Sequence, residues 1–194
     1  MKTIELKLYK FQELNNEARQ KAIEDKVKQN SEYIYMDCFN DDAIEQIKDA
    51  GFENPKLEYS LSYSQGDGLS FKADGITQEL KDSIFKAIGL SYKRAEIIEQ
   101  YLIVKITGNK GHYSYAKKDQ IDVYLESNYS GNEKHNIQKY VDLFLNELEE
   151  IYMDLCNKLE KQGYNEYEYQ CSEEYAIQEI EDNDDDFLEN GEKY

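Results

Sequence analysis

The first third of the chain alternates between strand-like and helix-like patterns. Polar and apolar residues alternate over residues 3–9, which predicts a half-buried strand. Residues 11–14 then predict a turn, and Asn15 is suited to cap a helix with apolar residues at steps of three and four. The same spacing predicts a second helix over residues 36–50, ending at Gly51.

The middle of the chain is dominated by strand patterns. Residues 57–63 and 69–71 flank a Gly-Asp-Gly sequence, which predicts a β-hairpin. Thr77 is suited to cap a short helix. Residues 101–106 form the most strand-like run of the chain and predict an interior strand, and residues 121–125 predict the strand that returns beside it.

The last third is mostly helical in pattern. Residues 135–161 carry one continuous apolar stripe and predict the longest helix, which Gly163 should stop. A further helix is predicted over residues 172–181. Asn190-Gly191, between two short runs, is the strongest local hairpin signal in the sequence.

These elements predict one domain, residues 1–194, without internal repeats or linkers. Its expected fold class is α+β, an antiparallel sheet with hairpins covered by several helices. Within that domain, residues 164–194 are expected to form an acidic helix and hairpin.

Charge narrows the classes of function. The 194 residues hold 23 Lys and Arg against 41 Asp and Glu, a net charge of −18. This balance argues against direct binding of nucleic acid and against binding to anionic membranes. Since there is neither an apolar run of membrane-spanning length nor a secretory signal, a cytoplasmic location, inside a host cell, is expected.

The acidic residues are concentrated near the end of the chain. Residues 164–194 hold 12 acidic side chains against Lys193 alone, a net of −11. Such a run is usually a solvated face, but carboxylates in rows also imitate the phosphates of DNA and attract basic nucleic-acid grooves. The candidate acidic surface comprises Glu173, Glu174, Glu179, Glu181, Asp182, Asp184, Asp185 and Asp186.

Cysteine and histidine usage gives no support for a metal site. Cys38, Cys156 and Cys171 are widely spaced, and both histidines lie far from them in sequence. Buried thiols in a reducing cytoplasm are the expected state. The sequence thus predicts neither a metal nor a cofactor.

A first candidate binding segment is the loop of residues 64–68, Ser64-Gln65-Gly66-Asp67-Gly68. Its glycines permit close approach of a ligand or partner, and its polar side chains offer donors and acceptors. It lacks the Gly-Lys-Ser/Thr ending of a Walker loop. The competing interpretation is a tight hairpin turn in which Asp67 bonds to its own backbone.

A second candidate is the loop of residues 111–115, with His112, Tyr113 and Tyr115. His112 could act as an acid, a base or a ligand, although a histidine satisfied by a backbone carbonyl is the competing interpretation. The two loops flank strands that could be neighbours, so one concave site is geometrically possible.

Several motifs together resemble a known family. They are Phe11-Gln12-Glu13-Leu14, the Glu17–Ala22 segment (residues 17–22), Ser64-Gln65-Gly66-Asp67-Gly68, Gly111-His112-Tyr113 and Phe187-Leu188-Glu189-Asn190-Gly191. In this order they resemble a family of small proteins encoded by phages and mobile elements. Members often carry a second histidine where Tyr115 stands here, so the resemblance implies no catalytic pair in this chain. Small acidic proteins of that setting are often inhibitors of host defence, including anti-CRISPR proteins.

The sequence and the resemblance therefore predict a non-enzymatic, phage- or prophage-encoded inhibitor of a host defence nuclease. Its expected partner is a CRISPR effector or restriction enzyme with a basic nucleic-acid groove. One alternative is a small enzyme or ligand-binding protein whose site is formed by the loops of residues 64–68 and 111–115, and another is an accessory phage protein whose acidity only keeps it soluble. No catalytic residue is predicted.

Overall fold

The computed structural model describes residues 6–108, 120–126 and 134–194. It confirms the α+β class, with antiparallel strand pairing throughout the described sheets. Contacts group the chain into two compact units: unit 1 comprises residues 1–36 and 164–194, and unit 2 comprises residues 37–163. The single domain stays a prediction, and each unit is described on its own.

Unit 1 is built from both terminal parts of the chain. Its elements are strand β1 (Tyr9–Lys10), a 3₁₀ turn (Phe11–Glu13), helix α1 (Asn16–Glu32), the end of helix α5 (Lys134–Gln170), helix α6 (Glu173–Asp182) and strand β8 (Asp186–Phe187). β1 pairs with β8 antiparallel, with Tyr9 opposite Phe187. A small core gathers residues of α1, α6 and the two strands: Phe11, Leu14, Ala18, Ala22, Ile23, Ala176, Ile180 and Phe187.

Both helices that start in unit 1 are capped by a side chain, as predicted for Asn15. Asn15 Oδ1 accepts from the amide of Ala18 (3.0 Å), and Ser172 Oγ accepts from the amide of Tyr175 (3.1 Å). Each side chain satisfies an amide that the first helical turn leaves without a partner. Of the strand predicted over residues 3–9, residues 3–5 lie outside the described residues and residues 6–8 are not in a strand; the observed strand is Tyr9–Lys10, which pairs with β8.

The predicted reversal at Asn190-Gly191 is confirmed. The Gly191 amide donates to the Leu188 carbonyl (2.9 Å), and Phe187 forms an antiparallel bridge with Lys193. Gly191 has φ +83°, and a Cβ there would overlap the Ala18 carbonyl oxygen. Only glycine lets this turn lie so close to α1.

Unit 2 is a four-stranded antiparallel sheet with helices packed on its buried face. The strand order is β3-β4-β6-β7, and the strands are β3 (Lys56–Ser60), β4 (Gly68–Ala73), β6 (Leu102–Thr107) and β7 (Ile121–Leu125). A separate pair joins β2 (Phe52–Glu53) and β5 (Gly75–Ile76), and the other helices are α2 (Asp37–Asp49), α3 (Gln78–Ala87) and α4 (Tyr92–Glu99). The predicted hairpin, the interior position of β6 and the returning β7 are confirmed.

The interior of unit 2 contains a cluster of aromatic rings around Phe71. Phe71 of β4 lies 4.8 Å from Phe52 and 4.5 Å from Tyr152 of α5, measured between ring centroids. The Tyr152 hydroxyl accepts from the Phe71 amide (3.2 Å) and lies 3.0 Å from both the Phe71 carbonyl and Gln120 Oε1. One helix side chain thus satisfies backbone groups of a buried strand, which would otherwise cost free energy.

The predicted helix stop at Gly163 is wrong, because α5 continues to Gln170. Gly163 is buried inside the helix, and a Cβ there would overlap a methyl group of Leu61 and lie 3.0 Å from the ring of Phe39. The residue therefore permits close packing of α5 rather than ending it. A glycine inside a helix costs about 1 kcal/mol, which that close packing offsets.

Candidate functional site

The loop of residues 64–68 is organised by the carboxylate of Asp67. Asp67 Oδ1 accepts from the hydroxyls of Ser60 and Ser64, both at 2.8 Å, and Oδ2 accepts from the amides of Ser62 (2.6 Å) and Ser64 (3.0 Å). Ser62 Oγ lies 3.3 Å from Oδ1 as well. Both carboxylate oxygens are thus engaged by the turn itself.

This geometry supports the interpretation of the loop as a hairpin turn. Gly66 (φ +103°) and Gly68 (φ +155°) adopt backbone conformations that side chains disfavour, and Tyr63 is also left-handed at φ +57°. Gln65 is exposed at the tip, and Gly68 begins β4. An Asp67 carboxylate held by serines and amides is placed to stabilise the turn rather than to take a proton from a substrate.

The second candidate loop lies outside the described residues. His112, Tyr113 and Tyr115 all fall between Gly108 and Gln120, in residues 109–119. The single site formed by the two loops therefore stays a prediction.

The aspartates of the acidic segment, residues 164–194, are paired with lysines. Lys10 Nζ lies 2.9 Å from a carboxylate oxygen of Asp184 and 3.0 Å from one of Asp186. Lys193 Nζ lies 2.6 Å from Asp185, whose side chain is only 8% exposed. Hydrogen bonding to Asp184, followed by that to Asp186, raises the pKa of Lys10. These three aspartates hold the β1–β8 pair and the terminal turn in place.

Three glutamates of α6 also have partners within unit 1. Glu179 lies 3.1 Å from Lys26 Nζ, Glu181 accepts from the Gln12 amide group (3.2 Å), and Glu173 accepts more weakly from that of Gln20 (3.5 Å). Glu173 and Glu181 remain exposed despite these contacts.

Glu174 and Asp182 are exposed, and neither has a hydrogen bond or ion pair with the part of the chain that the structure describes. The structure therefore divides the predicted acidic surface into two sets. Asp184, Asp185, Asp186 and Glu179 stabilise unit 1 through lysines. The exposed carboxylates of α6 remain available to a partner, and they are Glu173, Glu174, Glu181 and Asp182.

Sequence reasoning missed a group of tyrosines where α5 ends and α6 begins. Tyr169 and Tyr175 pack edge to face, with ring centroids 5.1 Å apart. Gln170 accepts from the amide of Tyr35 (2.8 Å) and donates to its carbonyl (2.6 Å), which brings the segment after α1 to the same place. The density of tyrosine in residues 164–175 was the available signal, but the approach of Tyr35 is a long-range contact.

The buried polar groups of unit 2 are unsuited to chemistry on an external molecule. Burial raises the pKa of the Cys156 thiol to about 12 and also raises the pKa of the Tyr152 hydroxyl. Cys38 is exposed and Cys171 is half-buried, so the prediction of buried thiols is confirmed only for Cys156. Across the described ranges, no three His, Cys, Asp or Glu side chains are grouped to hold a metal ion.

Comparison with family models, curated proteins and solved structures finds no match for this chain. The resemblance to a phage-encoded family therefore stays a prediction. None of the helices in the described residues is long and apolar enough to cross a membrane.

Proposed function

We propose that this protein is an acidic inhibitor of a host defence nuclease, of the kind that phages and prophages encode. It acts by binding the basic nucleic-acid groove of a CRISPR effector or, as a second choice, of a restriction enzyme. The observation that carries the proposal is the charge of unit 1, where 18 acidic and 8 basic residues give a net of −10 in 67 residues.

The negative electrostatic field of unit 1 indicates a partner with a positively charged surface. A concentrated negative surface speeds encounter with a positive groove and disfavours nucleic acid itself. The exposed carboxylates of α6 supply this contact, whereas Asp184, Asp185 and Asp186 already engage lysines. The proposal is therefore inhibition by occupation of the groove, without catalysis.

The test is a cleavage assay on defined nucleases. Purified protein is titrated into a panel of guide-loaded CRISPR effectors and restriction enzymes, each with its own target DNA. We expect inhibition of at least one enzyme, relieved by excess DNA and weakened by salt, because exposed charges are screened beyond about 10 Å at 0.1 M. Full cleavage activity of every enzyme in the panel, at a large molar excess of this protein, would reject the proposal.

A variant of α6 locates the contact. The triple change Glu173→Gln, Glu174→Gln and Asp182→Asn should weaken inhibition about tenfold or more at low salt. The matched control removes the same charge from exposed positions of α2, through Asp41→Asn, Asp42→Asn and Glu45→Gln. Equal weakening by both triples would mean that overall charge, and not α6, determines binding. A gel shift with free duplex DNA should show no binding by either protein.

A further inference from the structure

We propose that unit 1 carries a recognition surface for arginine side chains of its partner. This tyrosine surface consists of Tyr33, Tyr35, Tyr169 and Tyr175 with the neighbouring Glu173 and Glu174. The inference rests on the proposed function and deepens it, because it names the feature of the basic partner that is recognised: an arginine-rich segment.

The aromatic part of the surface is large and exposed. Tyr33 is 81% exposed, Tyr35 is 65% exposed and Tyr169 is 40% exposed. Tyrosine provides broad contact area at low cost in conformational entropy, and it is enriched in the centres of protein interfaces. Tyr33 and Tyr35 are two residues apart, and the hydrogen bonds between Gln170 and the Tyr35 backbone bring this segment to the residue after Tyr169.

Hydrogen bonds hold the Tyr169 hydroxyl and the backbones of Tyr35 and Tyr175 in place before a partner binds. The Tyr169 hydroxyl donates to Gln178 Oε1 (3.1 Å), and Ser172 Oγ both accepts from the Tyr175 amide and donates to the Tyr169 carbonyl (2.6 Å). Gln170 is buried and holds Tyr35 by both backbone groups. A surface that is ordered before binding loses less entropy when a partner arrives.

Charge complementarity identifies the occupant as cationic. Glu173 and Glu174 lie in the first turn of α6, and Tyr175, which packs against Tyr169, follows them directly in sequence. From Gln162 to Glu192 the sequence contains neither lysine nor arginine. A cation placed over these rings therefore meets carboxylates and no competing positive charge from this segment.

Arginine fits this surface better than lysine does. Its planar guanidinium stacks on aromatic faces and forms paired hydrogen bonds with a carboxylate, whereas an ammonium group is a compact and strongly hydrated charge. The chain places both kinds of cation over its own rings: Lys7 Nζ lies 4.6 Å from the ring centroid of Tyr9, and Lys105 Nζ lies 5.7 Å from that of Tyr124. Its two arginines both lie over aromatic rings: Arg94 is 5.6 Å from the ring centroid of Tyr140, and Arg19 is 5.5 Å from that of Phe11.

The experiment uses the full chain and two labelled peptides of equal length and charge. One alternates arginine with glycine, and the other alternates lysine with glycine. Fluorescence anisotropy at low and moderate salt should show that the arginine peptide binds about three- to tenfold tighter, and that this ratio persists when salt weakens both affinities.

Variants distinguish the contribution of the tyrosine rings to peptide binding from that of the carboxylates. Tyr33→Leu with Tyr35→Leu should reduce the preference for arginine to less than twofold, while Tyr33→Phe with Tyr35→Phe keeps the rings and should retain it. The matched control is Tyr92→Leu in unit 2, which removes a ring that is 82% exposed and should change nothing. Circular dichroism verifies that each variant is folded.

Equal affinity for the two peptides, or a preference that survives the double leucine variant, would overturn the inference. In that case the proposed function still stands if the triple variant of α6 weakens inhibition in the cleavage assay. Conversely, a clear arginine preference without inhibition of any nuclease would reject the proposed function and retain the surface.

Discussion

Unit 1 surrounds a small apolar core with lysine–carboxylate pairs, whereas unit 2 contains a larger apolar core in which the Tyr152 hydroxyl forms buried hydrogen bonds. In unit 1 the residues around the core include Lys10, Lys26 and Lys193, each paired with a carboxylate of the acidic segment. In unit 2 the fully buried side chains include Phe52, Phe71, Phe144 and Tyr152.

The difference shows where acidic residues can be used for binding. Unit 1 has a net charge of −10 in 67 residues, and unit 2 has −8 in 127 residues, from 23 acidic and 15 basic side chains. The denser charge is tolerated because part of it is neutralised locally by lysines. The exposed carboxylates of α6 are therefore the ones whose role in binding should be tested.

The largest expected effect is at the terminal turn of unit 1. Gly191→Ala should destabilise unit 1 by about 3 kcal/mol, because the new Cβ overlaps the Ala18 carbonyl at φ +83°. Hydrogen exchange followed by mass spectrometry reports unit 1 and unit 2 separately. The control is Gly89→Ala, also at positive φ (+68°) but with open space around it, where strain alone costs about 1 kcal/mol. If both variants behave alike, close approach of the turn to α1 is not important.

A smaller effect is expected in the core of unit 2. Tyr152→Phe removes the hydroxyl that serves the Phe71 backbone and Gln120, and should cost about 2 kcal/mol in unit 2. Urea unfolding measures the loss, with the exposed Tyr92→Phe as a control that should lie within about 0.5 kcal/mol of wild type. If Tyr152→Phe leaves the stability of unit 2 unchanged, the Phe71 backbone and the Gln120 side chain find other hydrogen-bond partners.

Alkaline pH should destabilise unit 2 through Cys156. The folded-state pKa is about 12 against an ordinary value of 9.0, so the buried thiol keeps its proton when the unfolded chain has lost it. Its contribution is complete below pH 9 and falls as pH rises from 9 towards 12, by about 1 kcal/mol at pH 10. Urea midpoints at pH 7 and pH 10 should therefore differ less in Cys156→Ala than in wild type. An identical loss in both proteins would contradict this assignment.

The smallest expected effect is at Lys10 in unit 1. Lys10→Gln removes an exposed pairing with Asp184 and Asp186, so amide exchange in β1 and β8 should accelerate by less than about fivefold at low salt. The raised pKa of Lys10 means that the pairing holds below pH 10.5 and is lost as pH rises above that value. Lys28→Gln, at an exposed position of α1, serves as the control. A large effect at high salt would indicate packing of the lysine stem rather than charge.

Local signals predicted the elements well where one side chain determines the outcome. Asn15 and Thr77 each cap the helix that follows them, as predicted, and Ser172, predicted as the first residue of a helix, caps α6. Gly163 was misinterpreted because a glycine that ends a helix and one that admits a neighbour look alike in sequence. The difference depends on Leu61 and Phe39, which lie about a hundred residues earlier.

The candidate site was less predictable for the same reason. The turn around Asp67 could be anticipated, since its partners lie within seven residues. The pairing of Asp184 with Lys10 spans most of the chain, and without it the aspartates appeared to be a free acidic run. The contact between Gln170 and Tyr35 is equally distant, so the tyrosine surface was visible only as a local excess of one residue type.

The pairing of β1 with β8 has a consequence for synthesis on the ribosome. Residues 37–163 of unit 2 can leave the exit tunnel and begin to fold while unit 1 still lacks α6 and β8. Until α6 and Phe187 emerge, the apolar face of α1 lacks the residues of α6 and β8 that pack against it in the folded protein. The region that we propose to contact the partner is therefore the last to be assembled, and an interrupted nascent chain would present unit 2 without it.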